Sequence, residues 1–138
     1  MRVLGLDVGE RRIGVAMSDT LGLTAQRLTV LARRGTAADL DAVDALITAH
    51  GAERVIVGLP LTLRGARGPQ AQRVAAFAEA LRRRVGVPVE YVDERLTTVQ
   101  GERALIAADT SRRKRKQVID QVAAQLILQQ YLDRSAAR

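Results

Sequence analysis

Residues 4–19 read LGLDVGERRIGVAMSD, two apolar runs joined by a short glycine-containing turn, and the way those runs pair decides what fold the chain takes. The first run, extended back to RVLGLDV, is apolar on both faces, as a central buried strand is. The second, RIGVAMS, alternates Ile13, Val15 and Met17 with small residues. A turn this short makes the two antiparallel neighbours. One residue is out of place in this pattern. Asp7 stands near the end of the first strand, where an ionised carboxylate is costly unless something compensates it.

Outward from that hairpin, LTAQRLTVL (23–31) reads as a third, more polar strand of the kind found at a sheet edge. From Thr36 the apolar period turns helical, with Leu40, Val43, Leu46 and Ile47 on one face, Thr36 as N-cap and Gly51 just past the end. RVIVGLP is too short for a helix and reads as a buried strand closed by Pro60. The loop LTLRGARG then leads to Pro69, which suits the first turn of a helix carrying Val74, Phe77, Ala78, Leu81 and Val85 and ending near Gly86. VPVEYVDE is the fifth strand. Thr98 caps a helix containing Leu105 and Ile106, and a basic loop delivers a last helix from about Gln117 to Asp133. The order is βββαβαβαα, and the crossover helices at strands four and five imply parallel pairing with the first strand. The expectation is a single α/β domain over residues 1–138. Its mixed five-stranded sheet has three antiparallel strands plus two parallel ones, with helices on both faces. Ligands of such sheets bind outside the carboxyl ends of the parallel strands, where Asp7 sits.

Composition narrows the chemistry. The chain has no cysteine, which excludes a disulfide framework and a thiolate metal site. No apolar run approaches the length of about 20 residues that a spanning helix needs, and no signal-peptide core is seen, so the expected location is the cytoplasm, with no membrane partner. The net charge is +7, and the excess is concentrated in an unbroken run, RRKRK, from Arg112 to Lys116. A balance of this kind calls for a polyanionic partner. With aromatics at only 2%, phosphate contacts are favoured over base stacking.

Two further places put acids where apolar residues belong. Asp93 and Glu94 end the fifth strand, and because strand side chains alternate they point to opposite faces, so that at most one joins Asp7. Parity alone does not choose between them. Asp120 shares a helical face with Ala123, Ala124, Ile127 and Tyr131, the stripe that should pack on the sheet, and its small neighbours let the helix approach closely. Three acids at buried positions compensate one another by binding hard divalent cations, Mg²⁺ or Mn²⁺. Two such ions activate a water and stabilise the leaving oxygen in phosphodiester hydrolysis.

Each of these residues also has an ordinary structural reading. Asp7 serves equally as a turn former, Asp93 and Glu94 as partners of Arg95 or Arg103, and Asp120 as a carboxylate near a helix N-terminus. It is their coincidence that points to a site. The basic run Arg112, Arg113, Lys114, Arg115 and Lys116, with Arg64 and Arg67 in the glycine-containing loop and Arg11 and Arg12 in the first hairpin, would hold a phosphate backbone beside it. His50, the sole histidine, falls at a helix end and reads as structural. Ser18 and Thr97 read as turn and capping residues.

GLDVGERRIGVAMSD, IVGLPLTLRGARGPQAQRVAAFAEAL, VDERLTT and IDQVAAQLIL occur in this order and span nearly the whole chain. Together they resemble the YqgF family, described both as pre-16S rRNA nucleases and as Holliday-junction resolvases. The resemblance implies an RNase H-like fold, a cytoplasmic location, metal-dependent phosphodiester cleavage and a role in maturing the 5′ end of 16S rRNA during ribosome biogenesis. Its acidic positions fall on Asp7, on Glu94 or its neighbour Asp93, and on Asp120, and it favours Glu94. This chain departs from the pattern at Gln100, Gly101 and Gln121.

The leading expectation is thus a nuclease with catalytic Asp7, Glu94 and Asp120, acting on precursor rRNA with possible contact to a ribosomal precursor, as monomer or homodimer. A second reading takes branched DNA as substrate and needs a dimer presenting two sites. A third is a non-catalytic nucleic-acid or assembly module whose acids hold a structural ion. An actin-like ATPase shares the Asp-x-Gly signal, but one lobe of this size forms no interdomain nucleotide cleft.

Overall fold

A computed structural model describes residues 1–96 and 112–136, with side chains over 1–95 and 122–136. The strands are β1 (Val3–Val8), β2 (Arg12–Ser18), β3 (Ala25–Ala32), β4 (Arg54–Leu59) and β5 (Val89–Asp93). The helices are α1 (Thr36–His50), α2 (Pro69–Arg84) and α3 (Arg112–Ala136). The strands form one sheet in the order β3-β2-β1-β4-β5. β1 and β2 pair antiparallel, as do β2 and β3, while β4 runs parallel to β1. β5 also joins in parallel, but along β4 rather than β1. β1, whose six residues are all buried, is the central strand, and the more polar β3 is an edge.

The strands' alternation builds two cores. Leu4, Leu6 and Val8 of β1 and Val55, Val57 and Leu59 of β4 pack with Val43 and Ile47 of α1 and Val74, Phe77 and Leu81 of α2. Val3, Ile56 and Val92 face the other way, against Ala123, Ala124, Ile127 and Leu128 of α3. Burying an aliphatic side chain stabilises by roughly 1.5–3 kcal/mol, so these two layers dominate the fold's stability. Gln125 and Gln129 of α3 tie down the edge strand: the Ala25 amide donates to Gln129 Oε1 at 2.8 Å, and Gln125 Nε2 donates to the Ala25 carbonyl at 3.0 Å.

Local expectations need three corrections. Thr36 is not the N-cap of α1: Gly35 holds that position with no side-chain cap bond, and Thr36 is the first helical residue. α2 stops at Arg84, with Val85 already extended, two residues before Gly86. RRKRK is not a loop, since α3 begins at Arg112 rather than near Gln117 and runs on to Ala136. Lysine and arginine are good helix formers, and nothing in RRKRKQ breaks a helix. The expected helix after Thr98, with Leu105 and Ile106, lies outside the described residues, as does Thr97.

Candidate active site

Asp7 follows from the pleat of β1. Val3 faces α3, a side chain on Gly5 would touch Leu128 and Ala124, and Asp7 continues that row with 8% of its surface exposed. Its partner on β2 is Gly14. On the other side Leu6 pairs with Val57, and one more step of that register brings Asp7 level with Gly58 of β4. The Asp7 carboxylate therefore has glycine on both neighbouring strands.

Glu94 reaches the same face from β5. Val92 packs under α3, and Glu94, two residues on, opens a single 3₁₀ turn (Glu94–Leu96) and is 2% exposed. Its Oε1 lies 2.8 Å from where a Cβ on Gly58 would stand. Thus Asp7 and Glu94 lie on the α3 face on either side of β4, at the carboxyl ends of the parallel strands. Asp93 alternates away from that face. Arg95 Nη2 bonds its Oδ2 at 2.7 Å and the Arg95 amide donates to Oδ1 at 2.9 Å. Those Arg95 bonds hold the Asp93 carboxyl below the usual range.

Asp120 lies in α3 by its backbone, seven residues before Ile127, and its side chain is outside the described residues. The run of the helix is nevertheless clear. Tyr131 takes a 2.6 Å hydrogen bond from Arg54 at the start of β4, while Ile127 stands over Gly58 near its end. The N-terminal half of α3 therefore leads towards and beyond the carboxyl ends. Among the described residues no group of three or more His, Cys, Asp or Glu side chains could hold a metal ion. The carboxylates of Asp7 and Glu94 are hard oxygen donors of the kind that suits a divalent cation.

The basic residues gather at the same end of the sheet. Arg11 is exposed in the β1–β2 turn and Arg12 opens β2. Arg64 is exposed in the loop after β4, and Arg67 of that loop lies 5.4 Å over the Tyr91 ring. Arg112 to Lys116 form the first turns of α3, with side chains outside the described residues. His50 closes α1, where its carbonyl accepts from Arg2. Ser18 is buried, accepts from the Val3 amide at 2.8 Å and donates to the Asp19 carbonyl.

Sequence reasoning missed Arg33 and Asp39. On the opposite face of the sheet, Arg33 Nε bonds buried Asp39 at 2.7 Å, its Nη1 bonds the Gly9 carbonyl at 2.8 Å, and its guanidinium lies 5.2 Å over the Phe77 ring. Burial is the largest influence on Asp39 and raises its pKa, yet the Arg33 bond, the Arg34 amide and the Arg33 charge together hold it below the usual range. The pair steadies the turn after Asp7, and Arg33 lines a cleft of about 590 Å³ with Val8, Gly9, Arg73 and Phe77. Gly9 closes that turn, its amide donating to the Arg12 carbonyl at 2.8 Å where a Cβ would collide. No spacing in the sequence links Arg33 to Asp39, because both lie in stretches that read as surface.

The RuvX family model, described as "Holliday junction resolvase", matches residues 1–134. The chain belongs to the RuvX (YqgF) family. A RuvX relative from Moorella thermoacetica, named "Putative pre-16S rRNA nuclease", is 58% identical over 134 residues, spanning 97% of this chain and 96% of that protein. Another of the same name, from Symbiobacterium thermophilum, is 51% identical over 138 residues, spanning 100% and 96%. Among solved structures, T. thermophilus RuvC in complex with a Holliday junction substrate superposes with a TM-score of 0.62 at 16% identity, covering 99% of this chain and 96% of that one. The fowlpox virus Holliday junction resolvase gives 0.57 at 13%, covering 97% and 99%. These likenesses establish the RNase H-like fold of this RuvX chain, and family membership places it among hydrolytic nucleases. Among the described residues no helix is long and apolar enough to cross a membrane.

Proposed function

We propose that the chain is a divalent-metal nuclease that trims precursor 16S rRNA at its 5′ end in the cytoplasm. The observation that carries this reading is the pair of buried carboxylates, Asp7 and Glu94, on one face of the sheet with β4 between them. Asp120 is the proposed third acid, from its place on α3 seven residues before Ile127. These residues would hold two Mg²⁺ or Mn²⁺ ions, which supply an activated water and stabilise the leaving oxygen. Asp93, engaged by Arg95, is left to a structural part. Arg11, Arg12, Arg64, Arg67 and the Arg112–Lys116 turns position the phosphate backbone. The RNA substrate is supported by the names of the relatives, which match this chain almost end to end.

A second reading is favoured by the family description and by the RuvC neighbour, whose structure holds a Holliday junction. In it a homodimer presents two sites to branched DNA, and sedimentation with and without a junction tests that assembly. One cleavage assay addresses both readings, using precursor rRNA, unrelated RNA and junction DNA with Mg²⁺, Mn²⁺ or EDTA. The expected result is metal-dependent cutting of precursor rRNA, abolished by EDTA, by Asp7→Asn and by Asp120→Asn. Retained cutting by a folded Asp7→Asn protein would overturn the site assignment. Failure to cut any substrate would leave the non-catalytic assembly module in its place.

A further inference from the structure

Gly58 has an ordinary backbone conformation and is not among the glycines with positive φ. Its lack of a side chain therefore serves something other than chain geometry. Gly58 pairs with Val92 on β5, it is one register step from the last β1 pairing, and its strand separates β5 from β1. A Cβ built there would overlap Ile127 Cδ1, come within 3.0 Å of Ile127 Cγ1 and stand 2.8 Å from Glu94 Oε1. Ile127 and the Glu94 carboxylate thus share the space that any other residue at position 58 would fill.

We propose that Gly58 is a positioning residue for Glu94: the gap it leaves on β4 lets the Glu94 carboxylate lie across the strand on the side of Asp7. The proposal rests on the reading of Glu94 as a metal ligand. The two closest atoms, Ile127 Cδ1 and Glu94 Oε1, are the ends of their side chains, and no backbone atom stands among the nearest three, so alanine is met by shifts of buried side chains rather than of a strand. For Ile127 the displacement is a matter of packing. For Glu94 it removes a ligand oxygen from its place.

The test compares Gly58→Ala, Glu94→Gln and the double variant Gly58→Ala/Ile127→Val, the last of which deletes the overlapping Cδ1 atom. Three quantities are read: the urea midpoint, Mn²⁺ binding by calorimetry on the protein alone, and kcat and KM for precursor rRNA. The expected result is that Gly58→Ala keeps a near-normal midpoint and KM. Its Mn²⁺ affinity and kcat fall between about 10- and 100-fold, the range for groups that orient a metal ligand. The added Ile127→Val change should not restore them. If Gly58→Ala alone lowers the midpoint, the double variant gives the same comparison in a folded chain. Recovery of Mn²⁺ binding by Ile127→Val would overturn the proposal, because the fault would then lie in α3 packing. Normal Mn²⁺ binding by Gly58→Ala alongside loss in Glu94→Gln would overturn the positioning role alone. Normal binding and cleavage by Glu94→Gln would instead overturn the ligand reading beneath it.

Discussion

Among the described residues three carboxylates are buried, Asp7, Asp39 and Glu94, and their places on the sheet set one apart from the other two: Asp7 and Glu94 lie on the α3 face. Asp39 is answered by Arg33 and the Arg34 amide, far from the α3 face. Asp39→Asn is expected to leave the proposed chemistry intact and to cost about 1–3 kcal/mol of stability, as the loss of hydrogen bonds to a buried charge does, measured by urea unfolding. The pH dependence has a definite sign. Because the folded pKa is depressed, the contribution is complete above the unfolded value of about 3.9. It is lost as pH falls through the lower folded value. The Asp39→Asn protein should therefore show a flatter acid limb than the parent. Asp93 and Glu94 make a second contrast. Glu94→Gln should reduce cleavage by more than the ~10- to 100-fold typical of a supporting group, whereas Asp93→Asn should mainly loosen Arg95. Equal losses in the two variants, measured as kcat at saturating metal, would count against the separation of roles. Parity told from the sequence that these two acids part company, but not which one lies over β4. That depended on Gly58, whose neighbours across the sheet no local pattern displays.

At the scale of elements, the approach of α3 to the sheet is what brings its N-terminal half to the acids. The helix sits low because β1 carries Gly5, where a Cβ would stand 2.7 Å from Leu128 Cβ and 3.2 Å from the Ala124 carbonyl. Neither atom is the end of a flexible chain. Gly5→Ala should therefore lift the helix and cost about 1–3 kcal/mol as an overpacked core does, seen as a lower urea midpoint with an unchanged m-value. Gly58→Ala, whose new methyl meets side-chain atoms of Ile127 and Glu94 and no backbone atom among its nearest three, should shift the midpoint less. The small residues of α3 and the burial of β1 and β4 as apolar strands were legible in the sequence, because burial on two faces leaves few polar positions to misread. The start of α3 was not. A run of five basic residues looks like a solvated loop by charge, yet its backbone is helical, since the intrinsic propensity of lysine and arginine favours a helix. Asp39 was hidden for a related reason: an acid in the first turn of a helix ordinarily answers the helix dipole in solvent, and only the chain entering α1 supplies Arg33.

At the scale of the whole molecule, a charge of +7 distributed with Arg11, Arg12, Arg64, Arg67 and the start of α3 at one end of the sheet makes that end the natural seat for a polyanion. The parallel direction of strands four and five was legible from the change of apolar period along the chain and fixes which end this is, whereas the place of β5 beside β4 rather than β1 was not. Moving the basic run from a loop into α3 sharpens the consequence, because the backbone that carries these charges is then helical and continuous with the part of α3 that packs on the sheet. Binding through phosphates releases counterions, so affinity falls linearly with salt on logarithmic axes, with a slope of about −0.7 per phosphate neutralised on a single strand. Replacing Arg112, Arg113, Lys114, Arg115 and Lys116 with glutamine should weaken binding of precursor rRNA and lower the steepness of that slope by about 0.7 for each contact removed. The measurement is a salt titration of binding in EDTA, where no cleavage confuses the signal. Thermal stability should change little, because glutamine matches lysine and arginine closely in helix propensity. An unchanged slope with weakened binding would mean that the run acts by holding α3 in place, and an unchanged slope with unchanged binding would remove this end of α3 from the interface.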